Sequence, residues 1–164
     1  MSCVANPLTH MIARMLLMRG KSLSTAESFT AGGIAAELCA VPGASTWFKG
    51  AIVAYSEIVK ESLLGVSENL IAMHGVVSRQ VAEAMARGVI RQLGTDYAIA
   101  TTGAAGPTAP DKDTPVGTAW IAIASHTSVC AVELHLRGTR RNITTTAIQE
   151  ALKACYSMLR NNNK

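Results

Sequence analysis

The chain has 164 residues, 49% of them apolar and 16% charged, which suits one domain around a single core and excludes a disordered chain. Aromatic residues make up 4%, which argues against a base-stacking nucleic-acid platform and leaves the core to Ala, Val, Ile, Leu and Met. The net charge of +4 is modest and there is no long basic tail, so nucleic acid is a weak candidate partner.

Apolar spacing at Leu8, Ile12, Met15 and Leu16 predicts a helix over 8–19, ended by Gly20. A short β-like run over 22–26 leads into Glu27-Ser28-Phe29-Thr30-Ala31-Gly32-Gly33, a small-residue turn that opens a helix over 34–39. Strand, glycine-bearing turn and helix is the order that points free backbone N–H groups at an anion. Two glycines in such a turn also serve purely steric ends. Pro42-Gly43 punctuates the chain before Ser45. A strand follows over 48–55, then helices over 57–64, 68–74 and 79–94, with Ser56, Ser67 and Ser78 as N-caps.

A buried-type strand over 95–101 runs into Thr102-Gly103-Ala104-Ala105-Gly106-Pro107, a second small-residue loop that continues to 115. Runs over 116–125 and 129–136 read as an antiparallel hairpin turning at His126-Thr127. A last helix extends from Gly138 to about Leu159. Strands alternating with helices, plus one hairpin, predict an α/β fold, a three-layer sandwich with a mixed β-sheet over 1–164. Ligands in such folds sit at the carboxyl ends of strands. The loops 27–33, 43–47 and 102–107 are expected to share that edge, with Thr30, Ser45 and Gly106 facing one cleft.

Cysteines at 3, 39, 130 and 155 form no CxxC pair and read as reduced, mostly buried thiols. The four histidines show no HExxH pattern, and no metal site is expected. No targeting segment or membrane span is visible, so a soluble, cytoplasmic protein is expected. Arg137, Arg140 and Arg141 cluster where they would bind a small phosphate or form a solvated face. Between 43 and 60 the chain carries Ser45 in a polar turn, Tyr55 at a strand end and Lys60 one turn into a helix. Serine, tyrosine and lysine are the parts of a hydrolase that uses neither metal nor histidine. Singly, each is usually an ordinary surface residue.

Five stretches in order, TAESFTAGG at 25–33, GASTWFKGAIVAYSEIVKESLLGV at 43–66, HGVVSRQVAEAMARG at 74–88, TTGAAGP at 101–107 and PVGTAWIAIAS at 115–125, carry a resemblance. The chain resembles the CinA C-terminal domain family, whose active members are nicotinamide-nucleotide amidases (PncC). The resemblance implies an α/β/α sandwich, often homo-oligomeric. It implies hydrolysis of the carboxamide of nicotinamide mononucleotide to nicotinic acid mononucleotide and ammonia, without a cofactor, in pyridine nucleotide recycling. It puts the family's nucleophilic serine on Ser45, its tyrosine on Tyr55 and its lysine on Lys60. The turn at Ser28, Thr30 and Gly32 and the loop at Gly103, Ala105 and Gly106 would hold the nucleotide, with Arg140 and Arg141 beside them.

Departures from the family pattern are Phe29 and Ala31 in the first turn, Ala105 and the sequence TAPDKD in the second loop, and Thr139 and Thr144 where an aspartate and a second arginine are usual. The last pair favours an alternative, a non-catalytic nucleotide-binding or competence/damage-inducible partner domain.

Overall fold

The computed structural model describes residues 6–161. Its elements are α1 (Pro7–Arg19), β1 (Leu23–Glu27), α2 (Gly33–Cys39), a 3-10 turn (Ala44–Thr46), β2 (Phe48–Val53), α3 (Glu57–Leu64) and α4 (Glu68–His74). They continue with α5 (Arg79–Leu93), β3 (Tyr97–Gly103), β4 (Thr118–Ser125), β5 (Val129–His135) and α6 (Arg140–Asn161). The strands form one sheet in the order β2-β1-β3-β4-β5. The β1 strand is parallel to both β2 and β3, whereas β3, β4 and β5 run antiparallel. This is the expected mixed sheet between two helical layers.

The sheet has two unlike faces, because strand side chains alternate. Leu23, Ile99, Ile121 and Ile123 point to the side of α1, α2 and α6, where they pack with Ile12, Leu16, Ile34, Leu38, Leu152 and Leu159. Ala26, Ala98, Ala100, Ala122 and Ala124 line the other side and meet Ala82, Met85, Ala86 and Val89 of α5. Small side chains on both partners let α5 lie close against the strands. Its outer flank then meets α3 at Gly88, where an added Cβ would fall 2.1 Å from the Leu64 carbonyl oxygen. We expect Gly88→Ala to lower stability by about 1–3 kcal/mol, as overpacking against rigid backbone does, read from the urea midpoint.

Element ends differ from the sequence expectation in instructive places. The β2 strand stops at Val53, short of Tyr55. The Ala54 N–H still donates to the Glu27 carbonyl at 2.8 Å, but the Ala54 carbonyl is taken by Lys60 Nζ, which ends the ladder. The hairpin begins at Thr118, because Gly117 turns in with φ 97° where a Cβ would lie 1.9 Å from the Leu136 oxygen. The cysteine expectation also needs correction. Of the three described cysteines, Cys155 is buried, its thiol pKa pushed up by burial to about 12, while Cys39 and Cys130 are exposed. Cys3 lies outside the described residues. No helix among the described residues is long and apolar enough to cross a membrane.

Candidate active site

Parallel pairing puts the carboxyl ends of β1, β2 and β3 side by side, with Glu27 opposite both Val53 and Thr101. The chain leaving each strand there builds a cleft of about 300 Å³. Ser28, Phe29, Tyr55, Glu57, Lys60, Thr102, Gly103, Ala105, Gly106 and Arg140 are among its walls.

Lys60 lies in this cleft with 1% of its surface exposed. It reaches inward from the first turn of α3 to the end of β2. Its Nζ donates to Ser28 Oγ at 3.0 Å and to the Ala54 carbonyl at 2.7 Å. Burial lowers its pKa from the ordinary 10.5, and the nearby Glu57 carboxylate partly opposes that shift. Ser28 is 8% exposed, and its backbone N–H is fixed to the Thr101 carbonyl at 3.0 Å. Tyr55 stands at the rim, 59% exposed, where its hydroxyl accepts from Arg140 Nη2 at 2.7 Å. Arg140 Nη1 donates to the Gly106 carbonyl, also at 2.7 Å. One guanidinium thus fastens the tyrosine to the 102–107 loop. Beyond that loop, the TAPDKD segment is folded on Asp111, which accepts from the N–H groups of Asp113 and Thr114 and from the Thr114 hydroxyl.

The turn after β1 was expected to offer its N–H groups to a bound anion. It holds one already: the side chain of Glu27. This carboxylate is fully buried. It accepts from the backbone N–H groups of Gly32, Ile34 and Ala35 at 2.9–3.0 Å and from the hydroxyls of Thr25 and Thr30 at 3.0 and 2.8 Å. The N-terminus of α2 is therefore capped by a charge from its own chain. Thr30 and Gly32 serve this internal network and do not line the cleft. Glu27→Gln must turn an amide N–H toward at least one of those donors. We expect a loss of about 3 kcal/mol in urea unfolding, the scale of a buried donor left unmatched plus a weakened charge-assisted bond.

The structure corrects the placement of Ser45. It sits in the 3-10 turn before β2, whereas Tyr55 and Lys60 follow β2. A six-residue strand separates them by about 20 Å at 3.3 Å per residue. Ser45 instead edges a separate depression with Cys39, Pro42, Phe48 and Lys49. The loop 43–47 is thus at the amino edge of the sheet, and the shared cleft of three loops is a cleft of two. Sequence order already held the sign: the expected strand over 48–55 lies between Ser45 and Tyr55, while Ser28 leaves a strand end as Tyr55 does. Of the other expected residues, Gly103, Ala105, Gly106 and Arg140 line the cleft, and the exposed Arg141 does not. Thr139 is a helix cap in this chain, its Oγ1 accepting from the Asn142 N–H at 3.3 Å ahead of the second turn of α6.

The family described as the CinA C-terminal domain matches residues 5–159. The chain belongs to the CinA C-terminal domain family. A CinA-like protein of Frankia casuarinae is 44% identical over 152 residues, covering 93% of this chain and 35% of that protein. Another, of Flavobacterium psychrophilum, is 40% identical over 154 residues, covering 93% and 37%. The chain thus spans about a third of the length of these curated relatives. Among solved structures, a CinA superfamily protein of Klebsiella pneumoniae superposes with a TM-score of 0.90 at 32% identity, over 94% of this chain and 96% of that one. The competence/damage inducible protein CihA of Agrobacterium tumefaciens gives 0.88 at 30% identity, over 96% and 98%. CinA-family membership and the α/β fold are therefore both established.

Proposed function

We propose that this CinA-family chain is a serine amidohydrolase that hydrolyses the carboxamide of nicotinamide mononucleotide, with Ser28 as nucleophile, Lys60 as base and Tyr55 as proton donor at the leaving nitrogen. The observation that carries the reading is the 3.0 Å contact between Ser28 Oγ and the buried amine of Lys60. A serine hydroxyl needs a base beside it to attack an amide at neutral pH, and lysine is a base only when neutral. Burial favours that neutral form. The contact then reverses, and the Ser28 hydroxyl donates to the Nζ lone pair.

Ser28 Oγ bonds to the amide carbon as its proton passes to Lys60 Nζ. The carbonyl π electrons move to oxygen, giving a tetrahedral oxyanion. The N–H groups of Phe29 and Ala105, both cleft residues, have no acceptor among the described residues and are available to it. Collapse expels the nitrogen, which takes a proton from Tyr55 and leaves as ammonia, while the Lys60 ammonium returns a proton to Tyr55 and becomes a neutral base again. The ester on Ser28 is then attacked by water, whose proton goes to Lys60. The carboxylate departs and Ser28 regains its proton. Tyr55 suits the donor role because its oxygen accepts from Arg140, which leaves its own O–H free for the cleft.

The test is incubation of the purified chain with nicotinamide mononucleotide, following ammonia and nicotinic acid mononucleotide together. Equimolar release of the two is expected. Folded protein that releases neither would overturn the reading.

A further inference from the structure

Three charged side chains line the cleft: Glu57, Lys60 and Arg140. Two have structural or chemical occupations already described. Glu57 has neither. It is exposed in the first turn of α3 and makes no hydrogen bond or ion pair among the described residues. It stands three residues before Lys60, on the same helix face. A negative charge in that place holds the proton on Lys60, which works against a lysine that must act as a neutral base. Its presence inside the cleft is therefore unhelpful to the base, and the helix start alone does not require it to line the cleft. An anion beside the reacting pair attracts a cation. Arg140, also in the cleft wall, keeps N–H groups beyond the two it spends on Tyr55 and Gly106. The cleft thus presents a negative and a positive group along with the Ser28–Lys60 pair.

We propose that Glu57 is a specificity-determining residue that selects carboxamides borne on a cationic ring, so that the cleft takes a pyridinium carboxamide in preference to a neutral amide of the same shape. This rests on the amidase reading of the site. A ring cation seated near Glu57 also draws electron density from the carboxamide carbon, which favours attack by Ser28. The charge that tightens binding and the charge that activates the amide are then the same.

The probes are nicotinamide mononucleotide, whose ring is cationic, and its reduced dihydro form, whose ring is neutral; phosphate and carboxamide are common to both. Affinities are measured by calorimetry on Ser28→Ala protein, with and without Glu57→Gln, at a single pH, and ammonia release is measured on the unmodified chain. We expect the Ser28→Ala protein to favour the cationic form by about tenfold, equivalent to about 1.4 kcal/mol, and Glu57→Gln to remove most of that preference. Removing Glu57 also favours neutral Lys60, which would itself improve cation binding. A loss of preference therefore has the opposite sign to that side effect. An unchanged preference, or none to begin with, overturns the proposal; if the unmodified chain still releases ammonia, the amidase reading stands without it. If neither nucleotide binds and no ammonia appears, both fall together.

Discussion

Ser28→Ala is expected to lower ammonia release by at least about a thousandfold, while Ser45→Ala stays within a factor of about two of the unmodified chain. The contrast separates two serines that both sit in small-residue turns. Ser28 Oγ is 3.0 Å from the only amine in the cleft among the described residues that is buried. Ser45 is exposed beyond the opposite end of β2. Ser45→Ala should not disturb folding, since Ser45 makes no side-chain hydrogen bond among the described residues; Ser28→Ala removes one of the two acceptors of Lys60 Nζ but leaves the Ala54 carbonyl and the backbone bond to Thr101 in place. Rates are compared on samples with matched urea midpoints. Full activity in Ser28→Ala, or its loss in Ser45→Ala, would return the nucleophile to the other turn.

The second large effect falls on Lys60. Lys60→Met keeps a long apolar stem in the site but removes the base, and Lys60→Arg keeps a charge that cannot be given up near neutral pH. Both are expected to lose at least about a hundredfold in kcat, the range of general-base contributions. In the unmodified chain, kcat/KM should rise with pH and level off at the lowered lysine pKa, below the ordinary 10.5. Stability carries the same signature. The unfolded chain holds the Lys60 proton up to about 10.5, whereas the folded chain releases it earlier. Between the two values the unfolded state binds more protons, so stability rises with pH and levels off above 10.5. Below the folded value the full cost of burying the cation remains. Urea midpoints measured across this window should show the rise in the unmodified chain. Lys60→Met should lack that component; an identical rise in both would place the ionisation elsewhere.

The elements were legible because apolar period and turn chemistry agree along the whole chain: Gly20, Gly65 and Gly94 end α1, α3 and α5 where expected, each with positive φ. Tyr55, Lys60, Gly106 and Arg140 were expected at the site chiefly through the family resemblance, and all four line the cleft. The edge of the sheet that Ser45 occupies was not legible. Small-residue turns look alike in sequence, and which edge of the sheet a turn occupies depends on strand direction, a property of pairing between distant segments. Glu27 was hidden differently. The sequence offers a turn suited to an anion but does not say that the anion is the residue at its own start. Ala31, with φ 50°, also departs from expectation in a way the structure locates, a left-handed position held by a residue with a Cβ.

Arg140, at the start of the last helix, fastens both Tyr55 and Gly106. Its bonds reach across 85 and 34 positions of the chain, and the Lys60–Ser28 contact across 32. Such long-range pairings are costly in loop closure. Until they form, Lys60 is hydrated and keeps its proton, and Ser28 beside it is an inert alcohol. On the amidase reading, reactivity is in this sense a property of the finished molecule: the unfolded chain carries no armed nucleophile, and α6 must be in place for Arg140 to close the cleft.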